Sequence, residues 1–307
     1  MGPADPTTII KQEEETAQGC WQRELSVILP AYNEEESLGA LLDQIDQVLQ
    51  GQGIKREVIV VDDGSSDNTP DIARKKGAIV VQHEVNQGYG AALKTGVRQS
   101  RYGDLLIIDA DGTYPPEAIP ALLERFSDND MVVGARGRQE ASLVRLRRTA
   151  KWALRALASY CAGVRILDLN SGMRLLKKDL VLSYFHLLPS GFSFTSTITL
   201  ALHCNNHRVA YVPITYYPRG RSKFLPVRET VRILRQIIWT MTRLRPLKVF
   251  LPVSLFSLVP GLYVTVFQLR AGNAVSILPL LCILGGVLLG ISGLTANWVV
   301  TKSKSLE

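Results

Sequence analysis

Residues 105–112 read Leu105-Leu106-Ile107-Ile108-Asp109-Ala110-Asp111-Gly112, four apolar residues that run into two carboxylates one position apart. A short apolar run closed by Asp and Gly reads as the end of a buried strand. Side chains at i and i+2 of an extended chain point the same way, so Asp109 and Asp111 can converge on one hard cation, whose usual companion is a diphosphate. A solvated strand-to-turn junction uses the same residue types, and the pair gains meaning only from its surroundings.

Two earlier segments end in the same manner. Glu57-Val58-Ile59-Val60-Val61 leads into Asp62-Asp63-Gly64-Ser65-Ser66-Asp67, and Leu25-Ser26-Val27-Ile28-Leu29 leads into Pro30-Ala31-Tyr32-Asn33-Glu34. Between them, Glu35 to Gln50 carries Leu38, Leu41, Leu42, Ile45, Val48 and Leu49 at helical spacing. This alternation predicts an α/β fold with a parallel sheet. Ligands of such sheets bind beyond the carboxyl ends of the strands, the edge where Tyr32, Asp62, Asp63, Asp109 and Asp111 would gather.

The chain has 307 residues, 46% of them hydrophobic, and a net charge of +7. That charge suits a surface meeting anionic headgroups and an anionic substrate. No zinc-finger spacing or RNA-recognition signature is present, so nucleic acid is not an expected partner. Cys20, Cys161, Cys204 and Cys282 are scattered, which points to reduced thiols in a cytosol-facing protein. His203 and His207, four apart beside Asn205 and Asn206, read as a surface cap, not a zinc site. Residues 1–22 are polar, include Glu13-Glu14-Glu15 and lack an apolar core, so they are expected to be a flexible tail, neither signal peptide nor anchor.

Membrane attachment is expected from the other end. Val249 to Leu269 and Ala274 to Val300 are nearly uncharged and each long enough to cross a bilayer of about 30 Å. Only Arg270-Ala271-Gly272-Asn273 separates them, which predicts a tight hairpin within residues 247–307. Arg243, Arg245 and Lys248 precede the first span and Lys302 and Lys304 follow the second, which predicts that both ends, and the α/β domain, face the cytoplasmic side of a plasma, inner or ER-type membrane. Gly286 and Gly290 form a G-x-x-x-G pair able to seat another helix, and homo-oligomerisation is left open. Ahead of the spans, residues 225–246 carry Val227, Val231, Leu234, Ile238 and Met241 at helical spacing, with Arg228, Arg232 and Arg235 alongside. This pattern suits a helix lying in the membrane interface.

The ordered series Pro-Ala-Tyr-Asn-Glu, Asp-Asp-Gly-Ser and Asp-Ala-Asp-Gly resembles family 2 glycosyltransferases of the GT-A, Rossmann-like fold. Asn86-Gln87-Gly88-Tyr89-Gly90, Pro115-Pro116-Glu117, Asp168-Leu169-Asn170-Ser171-Gly172-Met173-Arg174 and Arg219-Gly220-Arg221-Ser222-Lys223 narrow the likeness to the polyprenyl-phosphate glycosyltransferases, the group of dolichyl-phosphate mannose synthase. The resemblance covers residues 23–224.

It implies a membrane-bound, metal-dependent, inverting hexosyltransferase. The enzyme would move one sugar from a nucleotide-diphosphate donor to an undecaprenyl or dolichyl phosphate, with Mg²⁺ or Mn²⁺ as cofactor and the bilayer as a partner. Pro30, Tyr32, Glu34, Asp62, Asp63, Gln87, Gly88 and Asp109 would surround the nucleotide sugar, and Asp109 and Asp111 the metal. Arg136, Arg148, Ser171, Arg174 and Ser222 would meet the acceptor phosphate, while Arg219 and Lys223 close over the donor diphosphate. Arginine suits such contacts because its planar fork pairs with phosphate oxygens. An acceptor that is already ionised needs no strong general base, which assigns Asp111 to the metal.

The sequence departs from that pattern at Thr113, where relatives often carry Gln, in Gly191–Thr197, which lacks an acidic residue, and at Arg221, which replaces a common Glu. Two other functions use the same scaffold. A polysaccharide or glycolipid synthase acting on a hydroxyl would show Gln-x-x-Arg-Trp, which Gln236-Ile237-Ile238-Trp239 does not supply. A non-catalytic membrane scaffold would have no use for an intact Asp109 and Asp111.

Overall fold

The computed structural model describes residues 24–137, 155–191, 193–217, 227–272 and 274–304. Within these, residues belonging to Met1–Gln139, Ser171–His186 and Val209–Ser222 form one compact unit. Those belonging to Glu140–Asn170, Leu187–Arg208 and Lys223–Glu307 form another. Residues 155–170 and 187–208, inside the stretch expected to be the catalytic domain, thus group by packing with the C-terminal helices.

The first unit is an α/β sheet. Its elements are β1 (Glu24–Ala31), α1 (Leu38–Gln50), β2 (Lys55–Asp62), α2 (Thr69–Lys75), β3 (Ile79–Gln82), α3 (Tyr89–Gln99), β4 (Asp104–Ile107), α4 (Ile119–Phe126), β5 (Met131–Arg136), β6 (Arg174–Lys177), α5 (Lys178–Ser183) and β7 (Val209–Ile214). The strand order is β3-β2-β1-β4-β6-β5-β7. Leu25, Val27, Leu29 and Ala31 alternate into the main core with Leu38, Leu41, Leu42, Ile45 and Leu49 of α1. Ile59 and Val61 face the other way, with Ala92 of α3. Both faces are covered, so the strands read as continuous apolar runs. Gly96 permits α3 to lie close on the sheet, since a Cβ there would stand 2.4 Å from Ile28 Cγ2.

The parallel expectation holds for β1 with β2 and β4, β2 with β3, and β5 with β7. It fails at β6, which runs antiparallel to both β4 and β5. The register sets Arg174 opposite Ile107, so the chain enters β6 at the edge where β4 leaves the sheet. The segment 171–174 is thereby delivered to the Asp109 loop.

The second unit contains α6 (Phe194–Cys204), α7 (Val227–Leu244), α8 (Leu247–Arg270) and α9 (Ile277–Lys304). α7 falls where the arginine-flanked stripe predicted a helix. Its apolar residues divide, however: Ile237, Met241 and Leu244 are buried, and the helix packs on α6, whereas Val231, Leu234, Ile238 and Trp239 stay exposed. Met241 therefore belongs to the packed face, not to the outward stripe. Arg245 donates to the Ala162 and Cys204 carbonyls at 3.1 and 2.9 Å, satisfying the C-terminal carbonyl of α6.

α8 and α9 are long and apolar enough to cross a membrane, with mean hydropathies of 1.9 and 2.4. Their side chains are mostly exposed, as lipid-facing helices require and core helices do not. They form the expected hairpin. The connection is longer than expected because α9 starts at Ile277, and Gln268 receives the Ser276 amide at 3.0 Å. Gly286 seats α8: Ser254 Oγ donates to its carbonyl at 2.6 Å, and a Cβ would stand 2.8 Å from Leu258 Cβ. Ser257 makes the same kind of bond to the Cys282 carbonyl at 2.8 Å.

Candidate active site

The carboxyl ends of β1, β2 and β4 share one edge of the sheet, where Ala31 stands level with Asp62. The loops after β1 and β2 are stitched together. The Asn33 amide donates to Ser65 Oγ at 2.9 Å, the Glu34 amide to Thr69 Oγ1 at 2.8 Å, and the Ser66 amide to Asn33 Oδ1 at 2.9 Å. Asn33 adopts a positive φ of 55°, a conformation Asn tolerates. Ser37 Oγ lies 2.9 Å from the Ala110 carbonyl and 3.0 Å from Glu34 Oε2, joining the first loop to the residue between the two aspartates. Pro30 is buried, Glu34 half-buried and Tyr32 50% exposed, so the Tyr32 ring offers a free face on this edge.

β4 ends at Ile107, and Asp109 and Asp111 lie in the loop beyond it. Their convergence therefore comes from a turn, not from the pleat of a strand. Asp111 Oδ1 accepts from its own turn, the Thr113 amide at 3.1 Å and Thr113 Oγ1 at 2.6 Å, with Gly112 between them at φ 70°. Asp109 Oδ1 accepts from the Tyr89 hydroxyl at 2.8 Å. Its Oδ2 rests on the backbone of Gly172, where a Cβ would stand 1.9 Å away. The Gly172 amide is in turn held by Tyr114 Oη at 2.7 Å.

The Asp109 carboxyl is pushed up to about 6, first by burial and then by the charge of Asp111; the Tyr89 hydrogen bond and the positive Arg136 and Arg174 act the other way. The same burial and the Asp109 charge hold the Tyr89 phenol well above its ordinary value, so Tyr89 is a neutral donor. A buried carboxyl whose proton affinity is raised by a neighbouring carboxylate is returned to its charged form by a cation placed between the two. Among the described residues no hydrogen bond reaches Oδ2 of either one, and no third His, Cys, Asp or Glu joins them in a metal-holding cluster. This donor set fits Mg²⁺ or Mn²⁺, which accept few protein oxygens and complete their shells with water and phosphate.

Asp62 accepts the Ser65 amide at 3.2 Å and Gln82 Nε2 at 3.2 Å. Asp63 is 4% exposed and takes the Gln87 and Gly88 amides at 2.9 and 2.8 Å, so it braces the 84–88 loop from within. Gln87 is exposed and Gly88 half-buried on that loop. Arg136 lies over the Tyr216 ring, 5.4 Å from its centroid, and Tyr216 meets Tyr114 edge-on at 5.3 Å. Ser171 and Arg174 are fully buried: Ser171 Oγ donates to the Gly134 carbonyl at 2.6 Å, and Arg174 Nε to the Ser171 carbonyl at 3.1 Å. Arg148, Arg219, Ser222 and Lys223 lie outside the described residues.

The edge thus brings together Asp109, Asp111, Arg136 and, through its charge, Arg174. Sequence reasoning gave no role to Tyr89 or Gly172, although both stood inside quoted motifs, and it passed over His83, Ser37, Tyr114 and Tyr216. A glycine after Ser171 was the one signal available for the contact with Asp109.

Residues 26–185 match the family described as Glycosyl transferase family 2. The chain is 35% identical over 218 residues to a dolichyl-phosphate hexose transferase of Haloferax volcanii, covering 70% of this chain and 92% of that protein. It is 31% identical over 257 residues to an undecaprenyl-phosphate 4-deoxy-4-formamido-L-arabinose transferase of Pseudomonas paraeruginosa, covering 77% and 68%. The fold resembles glucosyl-3-phosphoglycerate synthase of Mycobacterium tuberculosis in complex with Mn²⁺, uridine diphosphate and phosphoglyceric acid, with a TM-score of 0.60 at 22% identity over 75% of this chain and 82% of that one. The chain belongs to glycosyl transferase family 2, as a GT-A-fold member of its polyprenyl-phosphate glycosyltransferase group.

Proposed function

We propose that this protein transfers a single sugar from a nucleotide-diphosphate sugar to a polyprenyl phosphate, with inversion at the anomeric carbon. The observation that carries the reading is the Asp109–Asp111 pair, whose closeness, raised Asp109 carboxyl and nearby Arg136 and Arg174 charges support a diphosphate–metal site. The names of the relatives support the acceptor class.

Asp109 and Asp111 would hold Mg²⁺ or Mn²⁺, which when bound neutralises charge developing on the departing nucleoside diphosphate. Tyr89 and Gly172 fix the Asp109 carboxylate, and Thr113 fixes that of Asp111. Tyr32, Asp62 and the 84–88 loop would flank the nucleotide, with Pro30 and Glu34 shaping the first loop. Asp63 supports the pocket from behind.

Arg136 would meet the acceptor phosphate, joined from outside the described residues by Arg148 and Ser222, while Arg219 and Lys223 compensate the donor diphosphate. Arg174, buried behind Asp109, and Ser171 act on the acceptor side through the groups they hold. A polyprenyl phosphate arrives ionised, with a second pKa near 6, so no side chain need take a proton from it. One direct displacement on the face opposite the leaving group inverts the anomeric carbon. Alignment and charge compensation supply most of the acceleration.

α8 and α9 would span the bilayer with both ends cytoplasmic, and the exposed stripe of α7 would lie in the interface. The test is incubation of the full chain in detergent with a panel of nucleotide sugars, Mg²⁺ or Mn²⁺ and undecaprenyl or dolichyl phosphate, reading lipid-linked sugar by mass. One productive pair, lost on chelation, is the expected result. Transfer unaffected by chelator would overturn the metal assignment.

A further inference from the structure

We propose that His83 is a positioning residue that closes the 84–88 loop through Asp63 and so sets the affinity for the sugar donor. His83 follows β3, and its amide continues the parallel pairing by donating to the Asp62 carbonyl at 2.9 Å. Its imidazole is enclosed, with 8% of the side chain exposed against 5% for that of Asp63. Nδ1 stands 2.7 Å from Asp63 Oδ1 and Nε2 2.9 Å from Thr95 Oγ1 of α3. A carboxylate only accepts, so Nδ1 donates to Asp63, while Nε2 pairs with the threonine hydroxyl, which serves as donor or acceptor.

Asp63 thereby joins both ends of one loop: His83 at its start, and the amides of Gln87 and Gly88 at its finish. The same loop is pressed from beneath by Gly64, at φ 77°, where a Cβ would stand 2.9 Å from the Asn86 nitrogen. Gly88, at φ 102°, then turns the chain into α3, whose first residue, Tyr89, holds Asp109. A three-sided clamp of this kind costs ordering entropy that an exposed loop would otherwise keep, which makes sense where the loop is the wall of a pocket.

The inference rests on the reading of residues 84–88 as part of the donor pocket. His83 itself touches no substrate. Its consequences are specific to one ring nitrogen, since Asn places Nδ2 where histidine has Nδ1, whereas Gln reaches toward the Nε2 position and leaves Asp63 without its partner at the start of the loop.

The experiment uses the full chain in nanodiscs with His83→Leu, His83→Asn and His83→Gln, and has two readouts. Hydrogen exchange followed by mass spectrometry on peptides spanning 83–90 is expected to show faster exchange at Gln87 and Gly88 in the Leu and Gln variants and near wild-type protection in Asn. Steady-state kinetics with a productive nucleotide sugar are expected to show donor KM raised about tenfold in Leu and Gln, with acceptor KM unchanged and Asn within about threefold of wild type. Equal protection in all three variants, or Asn and Gln behaving alike, would overturn the clamp. Altered protection with an unchanged donor KM would overturn its role in donor affinity. A wild-type protein that transfers no sugar from any donor would instead remove the functional reading beneath it, while the exchange data still decide whether the clamp exists.

Discussion

The lack of a side chain permits a close approach at Gly172 and again at Gly286, and the two contacts do different things. At Gly172 the neighbour is a carboxylate, and a Cβ would occupy the place of Asp109 Oδ2. At Gly286 the neighbour is another helix, and a Cβ would meet Leu258 and the Ser254 carbonyl. The first contact orients a charge, for which a displacement of 1 Å matters. The second packs two candidate membrane spans, and in a bilayer, where apolar surface gains nothing from association, close fit and hydrogen bonds would be what holds them.

The largest effect should therefore come from Gly172→Ala. The added methyl must move the Asp109 carboxylate, and transfer is expected to fall by about 100-fold or more, with the protein still folded and inserted. Kinetics beside a thermal-shift measurement check this, and normal turnover would break the distinction. Gly286→Leu should do the reverse. Overpacking of the hairpin is expected to cost about 1–3 kcal/mol of stability while leaving turnover per folded molecule near wild type.

Tyr89→Phe comes next, with an expected loss of about tenfold from one missing hydrogen bond to a charged group. It also has a signature in pH. Asp109 must be ionised to hold a cation, and its carboxyl stands at about 6, so the Mn²⁺ concentration for half-maximal rate should rise as pH falls through that value. The Tyr89 bond lowers this carboxyl, so removing it should move the acidic limb of the rate profile to higher pH. For the metal-free protein the linkage runs the other way. The folded state binds this proton more tightly than the unfolded chain, so the group's contribution to stability is full below its ordinary value of 3.8 and is lost as pH rises through about 6.

The smallest effect is expected at Ser254→Ala, which removes the 2.6 Å bond to the Gly286 carbonyl. Interhelical bonds of this kind contribute about 0.6 kcal/mol in a membrane, so a shift in unfolding of that size, with unchanged kinetics, is the outcome to measure.

The same contrast explains what the sequence disclosed. Apolar runs ending in Asp are local signals, and β1, β2 and β4 were legible with their polar ends; so were α1, α7 and both spans, from period and length. β6 was not, because Arg174-Leu175-Leu176-Lys177 is only four residues long and its antiparallel direction depends on pairing with β4 and β5. The division of α7 into a packed and an exposed face depends on α6, which its own periodicity does not contain. In the site, Asp109 and Asp111 announced themselves as charges in a motif. Gly172 and Tyr89 reach Asp109 across 63 and 20 positions of sequence, and His83 reaches Asp63 across 20, relations only the folded chain reveals.

On the proposed reading, Asp109 and Asp111 together hold the cation of a sugar transfer to a polyprenyl phosphate. That reading is tested most directly by titrating Mn²⁺ into chelator-stripped wild-type and Asp111→Asn protein in nanodiscs containing polyprenyl phosphate, with a productive nucleotide sugar, and following lipid-linked sugar by mass. A saturable Mn²⁺ requirement is expected in the wild type, with a loss of about 100-fold or more in the variant at any Mn²⁺ concentration. Equal product from both proteins, with or without added metal, would contradict it.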